Sequence, residues 1–171
     1  ALKSLAHISV REEKLARVVE KLTGKEVTTV VDPTLLLERA DYEDLLYEEP
    51  LVKEKYIFAY FVVEDELLGK CAEKAAAVLG YRLIELHYKK TPKLKSENMS
   101  FDAGARECLT YIRDAEMIFT NSFHGTVFSI LFQKKFYSVY KENGRISNLL
   151  TFLNLESRHI KAENEIDDTE V

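Results

Sequence analysis

The residues best suited to chemistry lie in one short stretch, residues 117–132. Its apolar start predicts a buried strand over 117–120, and its apolar end predicts a helix over 123–132. Five polar or flexible residues stand between or just after: Asn121, Ser122, His124, Gly125 and Thr126. In open α/β sheets ligands bind where strands end, and the amides of a helix start favour an anion. The stretch therefore predicts an anion site that also carries a histidine, a side chain suited to acid–base chemistry.

The same residues also allow a purely structural interpretation. Asn121 or Ser122 is suited to cap the helix, because their side chains accept hydrogen bonds from the first-turn amides. His124 is equally suited to pack as a histidine whose ring is satisfied by neighbours. The residues alone leave both interpretations open.

Two arginines follow predicted strands and would add positive charge at the same edge of a sheet. Arg11 follows a strand predicted over 5–10, where a guanidinium can grip a phosphate or carboxylate with two hydrogen bonds. Arg145 opens a helix predicted over 146–153. The alternatives are a surface pair of Arg11 with Glu12 or Glu13, and an ordinary helix-start residue at Arg145.

Other charged candidates carry weaker signals. Asp32 ends a strand predicted over 27–31 and would orient a substrate hydroxyl or a histidine, although an Asp-Pro-Thr element is also typical of a turn and helix cap. His87 ends a strand predicted over 81–87. It precedes a lysine-rich segment (Lys89, Lys90, Lys93 and Lys95) that would steer an anionic donor or simply be solvated. His7 and His159 have no identifiable partner.

Strand and helix signals alternate along the chain, which predicts the fold class. Strands are predicted over 5–10, 27–31, 56–63, 81–87, 117–120 and 136–140, and helices over 12–22, 64–79, 102–113, 123–132 and 146–153. This alternation implies right-handed βαβ units. We predict an α/β fold, a Rossmann-like three-layer α/β/α sandwich with a mainly parallel sheet of about six strands. No GxGxxG motif is present, so the usual dinucleotide fingerprint is absent.

Composition limits the classes of function. The chain has 171 residues, a net charge of −5 and 46% apolar residues, which suits one domain. It has no basic block, no run long enough for a transmembrane segment and no metal-ligand spacing, so we expect no nucleic acid partner and no metal. Cys71 and Cys108 lack a CxxC partner, which favours a cytoplasmic location, with the inner face of the membrane as a further possibility.

The chain starts at Ala1 and reaches its first predicted strand within a few residues. This predicts that residues 1–160 form a Rossmann-like donor-binding domain excised from the C-terminal part of a longer chain. Residues 161–171 are acidic and are predicted to form a frayed, disordered tail.

Four segments, in this order, resemble the polysaccharide pyruvyl transferase family. They are residues 8–12 (ISVRE), 31–36 (VDPTLL), 111–125 (YIRDAEMIFTNSFHG) and 145–150 (RISNLL). The resemblance implies a two-domain GT-B architecture, of which this chain is the C-terminal, donor-side half. It implies transfer of a pyruvyl (ketal) group from phosphoenolpyruvate to a sugar of a cell-surface or exported polysaccharide. The implied partners are phosphoenolpyruvate, a sugar or lipid-linked glycan acceptor and the missing N-terminal domain, with no further cofactor.

The resemblance also implies roles for single residues. His124 would be the catalytic acid or acid/base, and Asp32 would orient a residue that binds the donor. The donor would be bound by Arg11, Asn121, Ser122, Gly125, Thr126 and Arg145. Family members often carry arginine where this chain has Ser122, so one guanidinium is missing and Arg11, Arg145 or the lysines would compensate. Two alternatives remain: a GT-B glycosyltransferase domain with a nucleotide-sugar donor, and a non-catalytic Rossmann-like binding domain.

Overall fold

The structure, a computed structural model, describes residues 1–88, 99–100, 102–141 and 144–163. Short 3-10 helices cover Leu2–Ser4, Pro33–Leu36, Arg39–Leu45 and Glu156–Arg158. The remaining elements are, in chain order, β1 (Ser9–Val10), α1 (Glu13–Thr23), β2 (Thr28–Thr29), β3 (Tyr56–Phe61), α2 (Glu66–Leu79), β4 (Arg82–His87), β5 (Met99–Ser100), α3 (Ala105–Asp114), β6 (Met117–Thr120), α4 (Phe123–Leu131), β7 (Lys135–Val139), α5 (Gly144–Phe152) and β8 (His159–Ile160).

The main sheet has six strands in the order β5-β4-β3-β6-β7-β8, and all its pairs are parallel. Alternate residues of β3 point to opposite faces, as the period of a strand requires. Tyr56 and Phe58 join a core with residues of α3, α4 and α5, whereas Ile57, Ala59 and Phe61 pack against α2. Helices thus cover both faces, and the predicted three-layer Rossmann-like sandwich is confirmed.

The six strands of the sheet are not the six that the sequence pattern indicates. β1 and β2 are shorter than predicted and pair with each other in a separate two-stranded parallel sheet. Their small core, formed by Ile8 and Val27 with Ala16 and Val19 of α1, lies apart from the main cores. β5 and β8 take the two edges of the main sheet instead. Each has only two residues, which is too short to show a strand period.

The helix boundaries follow local signals that the sequence carries. α1 ends at Gly24 and α2 at Gly80, both in the left-handed conformation that glycine adopts without strain (φ 71° and 65°). Asp65 caps the start of α2 by accepting hydrogen bonds from the amides of Leu67 and Leu68. The predicted domain division at residue 160 stays a prediction, and residues 164–171 of the predicted tail lie outside the described residues.

Candidate active site

The site lies at the carboxyl edge of the main sheet, where the strand order changes direction. β4 and β5 extend the sheet on one side of β3, and β6, β7 and β8 extend it on the other. The loops after β3 and β6 therefore form the crevice in which open α/β sheets bind ligands. Four of the predicted site residues, Asn121, Ser122, His124 and Gly125, follow β6 directly into this crevice.

Asn121 fastens the ends of the two central strands. Its side-chain Oδ1 accepts a hydrogen bond from the amide of Val62 (2.8 Å), and its Nδ2 donates to the carbonyl of Val63 (2.7 Å). Both ends of the amide are thus bonded to the loop after β3. Asn121 is buried, and its hydrogen bonds give it a structural role. Its role as a donor-binding residue stays a prediction.

Ser122 and Thr120 build the start of α4. Ser122 is the N-cap residue, and its Oγ accepts a hydrogen bond from the amide of Gly125 (3.1 Å). Thr120 Oγ1 accepts a bond from the Ser122 amide (3.0 Å) and donates to the Tyr60 carbonyl (2.9 Å). The structural interpretation of Ser122 as a cap is therefore confirmed, whatever its relation to a ligand.

The amides of Gly125 and Thr126 are both occupied by Ser122. The Thr126 amide bonds the Ser122 carbonyl (3.0 Å), and the Thr126 hydroxyl bonds the same carbonyl and Ser138 Oγ (3.0 and 2.8 Å). An anion at the helix start would instead meet the amides of Phe123 and His124, which have no acceptor within a helix. The helix dipole acts at the same place.

Gly125 allows α4 to lie very close to the strands below it. A Cβ at this position would lie 2.6 Å from Thr120 Oγ1 and 2.9 Å from Cδ1 of Tyr60. No side chain fits without a shift of its neighbours, so glycine is required here by packing. The close approach holds the helix start, and with it His124, against the end of β6.

His124 is exposed and lies at the rim of a cavity of about 520 Å³. Aromatic and aliphatic side chains line most of this cavity, among them Tyr42, Tyr60 and Phe128. Burial raises the pKa of Tyr60, with smaller contributions from Cys108 and Tyr88, while a hydrogen bond with Ser122 opposes the shift. Tyr60 is thus a neutral phenol beside His124.

Arg11 forms an ion pair with Asp32 rather than with its sequence neighbours Glu12 or Glu13. Asp32 also accepts hydrogen bonds from the amide and hydroxyl of Thr34 (3.1 and 2.7 Å). Burial alone would raise the pKa of Asp32, but the bonds from Thr34 and Arg11 outweigh it and hold the pKa below its usual value. Asp32 is both a helix cap and the partner that orients Arg11.

Arg11 and Arg145 lie in one cleft of about 550 Å³, which is formed between the small sheet and the start of α4 and α5. Their guanidinium carbons lie 5.9 and 5.6 Å from the centre of the Phe123 ring. That ring also makes an edge contact with His124 at 5.4 Å. Arg11 and Arg145 thus share one cleft, and the Phe123 ring connects them to His124, which lines a second cavity.

The sequence analysis named His87 as a candidate but did not predict the carboxylates that surround it. His87 is buried at the end of β4, with Nδ1 2.8 Å from Glu64 Oε1 and Nε2 2.9 Å from Glu85 Oε2. Its ring stacks on Phe61 at 4.3 Å between ring centres. Glu85 lies two residues earlier on the same strand face, which is a weak signal that sequence reasoning could have used. Glu64 is 23 residues away and has no such signal.

The other candidates take no part in this site among the described residues. His159 bonds the Tyr140 carbonyl through Nε2 (3.0 Å) and stacks on the Tyr140 ring at 3.8 Å. The four lysines after His87 and the Asn143 that precedes the last helix lie outside the described residues.

Within the described ranges, no three His, Cys, Asp or Glu side chains are grouped to hold a metal ion. None of the helices that the structure describes is both long and apolar enough to cross a membrane.

The similarity of this chain to known proteins lies at the level of a family. No curated protein and no solved structure matches the chain at a significant level. A model of the family described as polysaccharide pyruvyl transferase matches residues 1–143, which include β1 to β7 and every predicted site residue except Arg145. The match covers well over half of the sequence, and this chain therefore belongs to the polysaccharide pyruvyl transferase family.

Proposed function

We propose that this chain is the donor-side part of an enzyme that transfers a pyruvyl group from phosphoenolpyruvate to hydroxyls of a polysaccharide sugar. The observation that carries the proposal is the convergence of Arg11, Arg145 and His124 around the start of α4. Membership of the family supports the reaction class and a glycan acceptor. The GT-B arrangement with an acceptor-side domain belongs to the same proposal.

Two arginines of the cleft suit the anionic groups of the proposed donor, although Glu13 and Asp32 line the same cleft and Asp32 already pairs with Arg11. Phosphoenolpyruvate carries a carboxylate and a phosphate, and a guanidinium can bind either group with two parallel hydrogen bonds. Arg11 and Arg145 supply two such groups, and the start of α4 adds the partial positive charge of a helix N-terminus. These groups would compensate for the serine at position 122, where relatives often carry arginine.

The chemistry needs one acid–base group beside the donor. In the proposed reaction His124 donates a proton to the methylene carbon, which becomes a methyl group, while a sugar hydroxyl oxygen bonds C2. A second hydroxyl of the same sugar then bonds C2 as the bond from C2 to the phosphate oxygen breaks. One hydroxyl proton restores His124 and the other leaves with inorganic phosphate. Transfer by a positioned histidine typically contributes about 10²–10⁴-fold in rate.

Donor binding tests this proposal most directly. Calorimetry with phosphoenolpyruvate and with a panel of nucleoside diphosphates should give saturable binding of phosphoenolpyruvate alone. Arg145→Ala and Arg11→Ala should weaken that binding at least about tenfold each, because each removes a charge-assisted contact. Arg39→Ala is a matched control, since Arg39 is exposed and pairs with Glu43, and neither residue lines the cleft. Unchanged affinity in both cleft variants would contradict the proposed donor site.

One observation favours a second candidate, a glycosyltransferase with a nucleotide-sugar donor. The cavity beside His124 is lined mainly by aromatic and aliphatic side chains, which suits a planar base better than a small dianion. Binding of a nucleoside diphosphate without any binding of phosphoenolpyruvate would select this candidate. Binding of neither, in a protein that also carries the acceptor-side domain, would select a non-catalytic domain.

A further inference from the structure

One aromatic ring contacts all three charged or titratable residues of the proposed site. The guanidinium carbons of Arg11 and Arg145 lie 5.9 and 5.6 Å from the centre of the Phe123 ring. The His124 ring meets the Phe123 ring edge-on, with 5.4 Å between centres and an angle of 80°.

We propose that Phe123 is a positioning residue that holds Arg11, Arg145 and His124 in the arrangement that receives the anionic donor. This inference rests on the proposed function, because it concerns the same site. Phe123 does not itself exchange protons or bind phosphate. It sets where the two positive charges and the acid–base group lie before the donor arrives.

An aromatic ring suits this task because it orients a cation without neutralising it. The face of the ring attracts a guanidinium through its quadrupole, and the N–H donors stay available to a ligand. Asp32 acts differently, because its carboxylate forms an ion pair with Arg11 and offsets its charge. Among the described residues, no carboxylate pairs with Arg145. Its guanidinium lies over the Phe123 ring instead.

The two arginines differ in how much of their charge is available to a ligand. Arg11 shares its charge with Asp32, whereas Arg145 is paired with no described carboxylate and offers its full charge to an anionic ligand. The ring keeps both groups near the cleft while the cleft is empty. Less rearrangement is then needed when the donor binds, which is the general advantage of a preorganised site.

The backbone that carries Phe123 is held firmly in place. Phe123 is the first residue of α4 and follows directly after the cap residue Ser122. Two positions later, Gly125 packs against Thr120 and Tyr60 so closely that no Cβ fits. The position of the ring relative to the sheet is therefore set by the packing of the helix start, so the ring can serve as a fixed reference for flexible arginines.

Binding measurements on three variants test the inference. Phe123→Leu keeps an apolar side chain but removes the ring, and should weaken phosphoenolpyruvate binding about 5- to 30-fold while the melting temperature stays close to that of the parent chain. Phe123→Tyr keeps the ring face and should restore affinity. Tyr47→Leu is the matched control, because it removes the ring that lies 4.2 Å from Arg106, and neither of these residues lines the cleft. Equal affinity of Phe123→Leu and the parent chain would overturn the inference.

A second readout does not depend on the identity of the donor. In NMR spectra, the Nε–H signals of Arg11 and Arg145 should lose their ring-current shift in Phe123→Leu, keep it in Phe123→Tyr and stay unchanged in Tyr47→Leu. The Arg106 signal should respond only to Tyr47→Leu. A protein that also carries the proposed acceptor-side domain and does not bind phosphoenolpyruvate would overturn the proposed function, whereas unchanged Arg11 and Arg145 signals in Phe123→Leu would overturn this inference.

Discussion

Two histidines line one cavity at the carboxyl edge of the sheet, and their surroundings differ in every respect that matters for catalysis. The His87 side chain is 0% exposed, and each ring nitrogen lies within 2.9 Å of a carboxylate oxygen, on Glu64 and Glu85. His124 is exposed, and its ring lies at 80° to the Phe123 ring, with 5.4 Å between the ring centres. Both follow or end a strand of the same sheet, so the sequence presents them as similar candidates.

The difference teaches what a histidine needs in order to act as an acid or base. Both ring nitrogens of His87 are used in hydrogen bonds with carboxylates, so neither is available to a ligand. These bonds join β4 to the loop after β3. That loop is also held by Asn121 from the other side. His124 has a ring that a ligand can reach, which makes it the better candidate for proton transfer.

The largest expected effect separates the two histidines by activity. In a protein that also carries the proposed acceptor-side domain, His124→Ala should lower the rate of the proposed pyruvyl transfer about 10²–10⁴-fold, because the proposed acid–base group is removed. Its melting temperature should stay near that of the parent protein, since the side chain is exposed. Phosphate release from phosphoenolpyruvate in the presence of acceptor measures the rate. His7→Ala, at another exposed histidine, is the control, and near-normal turnover by His124→Ala would remove it from the mechanism.

For stability the order should be reversed: replacing His87 should destabilise the fold more than replacing His124. His87→Ala should lower the free energy of unfolding by about 3–5 kcal/mol, because it leaves buried Glu85 and partly buried Glu64 without their partner. Denaturant titration followed by circular dichroism measures this change. A loss below about 1 kcal/mol would show that the buried cluster contributes little and would weaken the contrast with His124.

Gly125 directly follows His124, and replacing it should disturb the packing of the start of α4. Gly125→Ala should cost about 1–3 kcal/mol, because the new Cβ would meet Thr120 Oγ1 at 2.6 Å. Gly144→Ala is the matched control in a helix, since nothing lies within 4 Å of a Cβ there. The control should be neutral or slightly stabilising. Equal melting temperatures for the two variants would contradict the close approach of α4 to β6.

The smallest expected effect concerns the ion pair of Arg11, and it depends on pH. The Asp32 pKa is lowered by folding from 3.8, so this carboxylate stabilises the fold at pH values above about 4 and loses that contribution as the pH falls through its folded pKa. Asp32→Asn should cost about 1 kcal/mol at pH 7. The difference in melting temperature between the variant and the parent chain should stay constant from pH 7 to 5 and become smaller below pH 4. Thermal unfolding across this range measures it, and a gap that widens in acid would contradict the assigned direction.

Much of the architecture could be predicted because it depends on short-range signals. β6 matches its predicted bounds, 117–120, and the predicted helix over 123–132 ends one residue earlier in the structure. The end of α2 at Gly80 follows from the left-handed conformation that glycine allows. The separation of β1 and β2 from the main sheet could not be predicted, because a strand period shows that a segment is extended but not which strand it joins.

The candidate site divides in the same way. The cap that Ser122 forms on Gly125 and the bonds from Thr34 to Asp32 join residues two or three positions apart, so the sequence by itself determined them. The pairing of Arg11 with Asp32 and the contacts of Phe123 with both arginines join residues more than 20 positions apart. Such contacts depend on how strands and helices are packed, and local sequence patterns carry no record of that packing. The sequence therefore determined where polar residues follow strands, and only the tertiary structure decided that His87 is buried between carboxylates while His124 faces a cavity.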